Sequence, residues 1–172
     1  MRRVLDGDTI DVGHAGRVRL LGIDAPELGI GFDTPAPFAA EARDRLASLL
    51  SGRYVRLETD GPVTDRYGRR LAYVFRDDGL FANAEMLRRG LALVSARRQM
   101  RRLSELRAAE RSARVARLGI WGRWPGLPSE RAGGLRPRGT PHWRELFQHA
   151  LLEPLLHPGG FALQALPNQR TR

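Results

Sequence analysis

The sequence contains no cysteine and no lysine. Without cysteine, the chain cannot form disulfide bonds, thiolate zinc sites or a cysteine nucleophile. All 29 basic side chains are therefore arginine, a composition typical of GC-rich coding sequences that also suits phosphate, because the guanidinium is planar and permanently charged. No apolar run approaches the roughly 18 residues that span a membrane, so we expect no membrane partner.

The start of the chain and its overall charge restrict the function only loosely. Met1-Arg2-Arg3 leads directly into strand-like sequence without the apolar region of a signal peptide, which leaves the cellular location open. A formal charge of +10 predicts attraction to polyanions, but it does not distinguish a protein that binds them from one that also reacts with them.

The length of 172 residues and the local composition predict one domain followed by a tail. We expect a monomeric domain over residues 1–122. Residues 123–172 are rich in proline, glycine and arginine near their start and read as linker and tail, with a short amphipathic helix at 142–153. The simplest interpretation of that helix is that it packs on the domain or is loosely ordered. The alternative is that it binds a partner, and a partner for the tail is unknown.

Within the domain, strand-like and helix-like segments follow one another in an α+β pattern. A hairpin is predicted first, from two strands at 4–12 and 17–24, and two further strands follow at 53–59 and 70–75. Apolar residues at helical spacing predict three helices, at 38–50, 82–89 and 100–118.

The first predicted strand carries two aspartates on the face that its other residues make apolar. In an extended segment, Asp6 and Asp8 project to the same face as Val4 and Ile10, since strand side chains repeat every two residues. A buried carboxylate must lie at a rim, pair with arginine or hold a cation. Alone, however, Asp-Gly-Asp is typical of a turn.

The second predicted strand brings more charge to the same place. It carries Arg19 and ends in Asp24, Ala25, Pro26 and Glu27, which the hairpin places near Asp8. The proline favours an extended backbone at Ala25, which could direct its carbonyl outward. A hard cation such as Ca²⁺ binds this mixture of carboxylate, carbonyl and water oxygens.

Three separated segments together resemble the thermonuclease family typified by staphylococcal nuclease: Asp6 to Thr9, Arg19 to Glu27, and Thr64 to Tyr73. The resemblance implies an OB-fold, a five-stranded β-barrel with three helices. It also implies Ca²⁺-assisted cleavage of the 5′ P–O bond of DNA and RNA, which leaves 3′-phosphates.

The resemblance further assigns a role to each site residue. Asp8 and Asp24 would bind calcium through their carboxylates and Ala25 through its backbone carbonyl, while Asp6 would support these ligands from behind. Three further residues would carry the catalytic step. Glu27 would act on the attacking water as a general base or as an orienting group, and Arg19 and Arg69 would hold the scissile phosphate.

Four residues are predicted to contact the nucleic acid. Tyr67 matches a family tyrosine that packs beside the nucleotide, and Arg66 replaces the usual lysine. Staphylococcal nuclease has further tyrosines after the segment matching residues 90–92, and these are missing here. We therefore expect weaker base stacking, phosphate contacts through Arg97 and Arg98, and binding that depends steeply on salt.

The same residues also allow interpretations without catalysis. Asp8 and Arg19 could form a structural ion pair between strands. The domain could be a catalytically silent module that binds nucleic acid, or a scaffold whose arginine-rich helix and tail bind acidic partners.

Overall fold

The computed structural model describes residues 1–29, 35–96 and 99–122. The predicted linker and tail, with the helix at 142–153, lie outside these residues, as do Arg97 and Arg98, so these predictions and the domain boundary at 122 stay predictions. None of the helices in the described part is long and apolar enough to cross a membrane.

The described chain alternates short strands with helices. There are seven strands: β1 (Arg3–Val4), β2 (Thr9–Asp11), β3 (Arg17–Leu20), β4 (Ile23–Asp24), β5 (Val55–Glu58), β6 (Arg70–Arg76) and β7 (Leu93–Val94). There are three α-helices: α1 (Ala39–Leu50), α2 (Ala82–Arg88) and α3 (Leu103–Val115). The three predicted helices are confirmed, each within a few residues of its expected ends.

Five strands form one mixed sheet in the order β1-β2-β3-β6-β5, in which β3 and β6 run parallel and the other neighbours antiparallel. The predicted closed barrel is not what these residues form, because β1 and β5 are the edges of an open sheet. At Gly22, whose φ of 82° is favourable mainly for glycine, the chain leaves this sheet, and β4 pairs with β7 in a separate two-stranded sheet.

The first predicted strand, residues 4–12, is also interrupted. Residues 5–8 form a turn between β1 and β2, in which the amide of Leu5 donates to the carbonyl of Thr9 at 2.9 Å. The prediction that Asp6 and Asp8 alternate along one continuous strand is therefore wrong. The turn-forming tendency of Asp-Gly-Asp outweighs the strand pattern.

The strand β3 separates the core from the side that carries the site. Val18 and Leu20 are fully buried, so Arg17 and Arg19 project from the opposite face. A fully buried side chain, Asn83 of α2, fixes the end of β3, because its amide donates to the carbonyl of Leu21 and its oxygen accepts from the amide of Val74, both at 2.9 Å. Both hydrogen-bonding ends of Asn83 are thus satisfied inside the core.

Candidate active site

A cleft of about 380 Å³ opens beside the turn between β1 and β2. All the predicted catalytic and metal-binding residues except Asp24 line it, together with three residues that were not predicted. The lining residues are Leu5, Asp6, Asp8, Arg19, Ala25, Glu27, Leu28, Gly29 and Arg69. The fold therefore brings together residues that are up to about sixty positions apart in the sequence.

The turn itself orients Asp8. The carboxylate of Asp6 accepts a hydrogen bond from the amide of Asp8 at 3.0 Å, as is usual when aspartate begins a turn. Gly7 allows the turn to sit deep in the molecule, since a Cβ placed on it would lie 2.6 Å from the Cβ atoms of both Ala25 and Ala42. The Asp-Gly-Asp turn is thus pressed against α1 on one side and the loop after β4 on the other.

Asp8 is nearly buried, with 5% of its surface exposed. Its Oδ2 accepts from the amide of Ala25 at 2.8 Å and forms an ion pair with Nη1 of Arg19, while Oδ1 accepts from the hydroxyl of Thr9 at 3.0 Å. These partners stabilise the ionised carboxylate in a position where burial alone would disfavour it.

Arg19 connects Asp8 to Asp24. While its Nη1 contacts Asp8, its Nη2 donates to Oδ1 of Asp24 at 2.5 Å. Two carboxylates therefore converge on a single cationic group. The structural ion pair that an interpretation without catalysis requires is present, and a second acidic residue shares it.

Asp6 titrates differently from an exposed aspartate. Burial raises the pKa of its carboxyl, and this effect outweighs the hydrogen bonds with Thr9 and the positive charges of Arg19 and Arg69, which act in the opposite direction. Asp6 lines the same cleft as Asp8 and is less buried than Asp8, and its supporting role toward the metal ligands stays a prediction.

Ala25 and Glu27 follow β4 along the rim of the cleft. The amide of Ala25 points at Asp8, and the neighbouring Pro26 is fully buried, which fixes the backbone at this position. Glu27 is exposed, and its carboxylate forms no hydrogen bond with any residue that the structure describes. A carboxylate in that state remains available to a water molecule in the cleft.

Arg69 reaches the cleft from the loop before β6. Asp65 holds it: the Nε of Arg69 donates to Oδ2 of Asp65 at 2.8 Å, and the amides of Tyr67 and Arg69 donate to Oδ1 at 2.9 and 3.0 Å. Burial opposes ionisation of Asp65, but these bonds outweigh it and lower the pKa of the carboxyl. Sequence reasoning missed Asp65, although its spacing of four residues from Arg69 within a glycine-containing turn was a usable signal.

Tyr67 and Arg66 extend this loop into solvent. Tyr67 is 67% exposed, and the guanidinium carbons of Arg66 and Arg69 lie 4.7 and 5.3 Å from the centre of its ring. An exposed aromatic ring with two cationic groups close to it, in the loop that carries Arg69 to the cleft, is suited to contact a nucleotide.

The oxygen atoms of the acidic residues at the cleft are of the kind that a hard cation such as Ca²⁺ prefers. Asp8 and Asp24 already direct carboxylate oxygens at one positive charge, and Glu27 lines the same cleft. In the described ranges, however, no three acidic, histidine or cysteine side chains converge closely enough to enclose a metal ion. The guanidinium of Arg19 takes the place between the two aspartates.

The sequence of this chain is similar to those of known nucleases. A sequence profile of the family described as staphylococcal nuclease homologue matches residues 17–123, and so begins after the Asp-Gly-Asp turn. Thermonuclease of Staphylococcus hyicus is 37% identical over 124 residues, which cover 69% of this chain and 72% of that protein. Thermonuclease of Staphylococcus intermedius is 42% identical over 96 residues, covering 54% of this chain and 56% of that protein. Endonuclease YncB of Bacillus subtilis is 34% identical over 125 residues, covering 69% and 59%.

Proposed function

Since the chain belongs to the staphylococcal nuclease family, we propose that it is a calcium-dependent nuclease that hydrolyses phosphodiester bonds of DNA and RNA and leaves 3′-phosphate ends. The observation that carries the proposal is that Asp8, Arg19, Glu27 and Arg69 line one cleft. Its thermonuclease and endonuclease relatives support the same class of reaction.

Asp8 and Asp24 would hold the calcium ion through their carboxylates, and Ala25 through its backbone carbonyl. When bound, calcium would supply positive charge beside the scissile phosphate. The remaining chemistry belongs to the side chains of the chain itself.

Glu27 would orient the attacking water and accept its proton as the water oxygen bonds to phosphorus. Arg19 and Arg69 would each donate paired N–H groups to the phosphate oxygens, and these bonds strengthen as negative charge collects on the five-coordinate phosphorus. The bond from phosphorus to the 5′ oxygen then breaks. Since an arginine side chain does not give up its proton at ordinary pH, the leaving oxygen would take its proton from water rather than from either arginine.

A digestion assay tests this function. Single-stranded DNA, double-stranded DNA and RNA are incubated with the protein in calcium, in magnesium and in chelator, and the ends of the products are analysed. We expect cleavage that requires calcium and 3′-phosphate ends. Products with 5′-phosphate ends, or cleavage that persists in chelator, would contradict the proposal.

Glu27→Gln provides the matched control for that assay. Because Glu27 is exposed and forms no hydrogen bond within the described chain, the variant should fold with an unchanged Tm and still bind oligonucleotide while losing cleavage. A general base is worth about 10²–10⁴ in rate.

The silent binding module remains the second candidate, because the ion pairs of Arg19 with Asp8 and Asp24 would also serve a purely structural role. Such a module would bind DNA in calcium without degrading it, so the same assay separates the two functions.

A further inference from the structure

We propose that Arg17 forms a second phosphate subsite next to the cleft, which holds the phosphate adjacent to the scissile one on the substrate strand. This inference rests on the proposed nuclease function and extends it, because it specifies that the preferred substrate is a strand with several consecutive phosphates. The ligand is a phosphate group of the polymer backbone, and the contact would not depend on base sequence.

The alternation of β3 places Arg17 on the same side as the cleft. Val18 and Leu20 point into the core, so Arg17 and Arg19 share the opposite face. Residues two apart on a strand are about 6.6–6.8 Å apart, which is close to the step between neighbouring phosphates of an extended nucleic acid strand. A phosphate held by Arg19 would therefore have its neighbour within reach of Arg17.

The pairing of β3 with β6 adds Arg69 to this face. Val18 lies opposite Arg70 and Arg19 opposite Leu71 in the parallel register. Arg17 and Arg69 each come one residue before the first pair of this register, Val18 and Arg70, so the two arginines lie at the same end of neighbouring strands. Arg17 is thus a neighbour, along one strand and across to the next, of both arginines assigned to the scissile phosphate.

Arg17 differs from Arg19 and Arg69 because no carboxylate of the described residues neutralises its positive charge. Those two are ion-paired with Asp8, Asp24 and Asp65, whereas Arg17 is exposed and makes no ion pair within 4.0 Å with any residue of the described segments. Asp11, opposite Arg17 in the antiparallel register, does not approach it that closely. An exposed, unpaired guanidinium beside a phosphate-binding cleft has the donor geometry to bind a second phosphate.

The test compares a polymer with a substrate that cannot reach the subsite. Wild type, Arg17→Gln and Arg107→Gln are assayed on a single-stranded oligonucleotide and on a chromogenic nucleoside phosphodiester with one phosphate. Arg107 is the matched control, since like Arg17 it is an exposed arginine with no ion pair among the residues described, but it belongs to α3 and not to the face of β3 that carries Arg19.

For Arg17→Gln we expect KM on the oligonucleotide to rise about 3–10-fold with little change in kcat, while the single-phosphate substrate is cleaved as by wild type. The slope of log KM against log salt should fall by about 0.7, as for the loss of one phosphate contact to a single strand. Arg107→Gln should change neither substrate, and Arg17→Lys, which keeps the charge, should lie between Arg17→Gln and wild type.

An unchanged KM on the oligonucleotide, or an equal effect of Arg17→Gln on both substrates, would overturn the subsite and leave the nuclease function standing. If the wild-type protein cleaved neither substrate, the proposed function itself would be wrong, and the subsite with it.

Discussion

The two arginines assigned to the scissile phosphate are held in opposite ways. Arg19 projects from β3 into contact with two carboxylates, and its side chain is 17% exposed. Arg69 stands in a loop, is 28% exposed, and is held by one carboxylate four residues away. For Arg19, catalysis and stability therefore depend on the same buried contacts. For Arg69, the only ion pair within the described residues is with a neighbour in its own loop, so we expect its contribution to stability to be small.

The largest expected effect is on catalysis and stability when either arginine is replaced by glutamine. Arg19→Gln and Arg69→Gln should each lower kcat/KM by about 10²–10³, because each removes one charge-stabilising donor. Arg19→Gln should also lower stability by about 3 kcal/mol, because it leaves the buried carboxylate of Asp8 without its cation. Arg69→Gln should lower stability less, by about 0–1 kcal/mol, because its ion pair with Asp65 is partly exposed. Steady-state kinetics and thermal unfolding in chelator measure the two effects.

Calcium should also affect Arg19→Gln and the wild type differently. Because the guanidinium of Arg19 occupies the place between Asp8 and Asp24, its removal should tighten calcium binding in the absence of substrate, and calcium should raise the Tm of Arg19→Gln more than that of wild type. Calorimetric titration of the wild type and of Arg19→Gln with calcium provides the comparison. Equal calcium affinities for wild type and Arg19→Gln would show that the two aspartates are not the calcium ligands.

Gly7→Ala tests the buried side of the site without altering any charge. The added Cβ would lie 2.6 Å from both Ala25 and Ala42, so either the turn or α1 must shift. We expect a loss of stability of about 1–3 kcal/mol, as for other overpacked positions, and a loss of activity of about 10-fold as Asp8 moves. Thermal unfolding and kcat/KM on the oligonucleotide check both.

The control for this prediction is Ala42→Gly combined with Gly7→Ala. Removing the opposing methyl group relieves half of the overlap, and the double variant should recover more activity than additivity allows, although a glycine inside α1 costs about 1 kcal/mol by itself. Additive losses would indicate that Ala42 does not restrict the turn.

Much of this arrangement follows from local sequence, and the exceptions have physical causes. The three helices and the β2–β3 hairpin were predictable, because their apolar spacing and turn residues agree. The interruption of the first strand at Asp6-Gly7-Asp8 was not, since a strand pattern and a turn signal competed over the same residues. The predicted hairpin correctly brought Asp8, Asp24 and Arg19 close together. That Arg19 pairs with both aspartates was not predictable, because it depends on side-chain conformation and not on the strand pattern.

The larger difference from the sequence-based prediction is that the main sheet is open and does not close into a barrel. Nothing in the short-range pattern around Gly22 states that β4 leaves the main sheet to pair with β7, because that pairing joins residues about seventy positions apart. Asn83 belongs to the same class, since its two buried hydrogen bonds connect α2 to β6 and to the end of β3. Such contacts are decided by packing rather than by propensity.

The smallest expected effect concerns the loop that holds Arg69. Asp65→Asn removes the charge that orients Arg69 but leaves the arginine in place, so KM should rise only about 2–5-fold with kcat nearly unchanged. Asp78→Asn is the matched control, because Asp78 pairs with Arg76 at the other end of β6 and does not line the cleft. A similar KM change in both variants would show that Asp65 does not act through Arg69.

The pH dependence of stability gives an independent reading of the same contact. The pKa of Asp65 is lower in the folded protein than the value of about 3.9 for an unfolded aspartate, so its ionised form stabilises the fold. That contribution is fully present above about pH 4 and is lost as the pH falls through the folded pKa. The stability difference between wild type and Asp65→Asn should therefore stay constant from about pH 8 to 5 and shrink below about 4. Denaturant unfolding at each pH measures this difference, and a difference that grows on acidification would mean that the ionised carboxylate of Asp65 does not stabilise the fold.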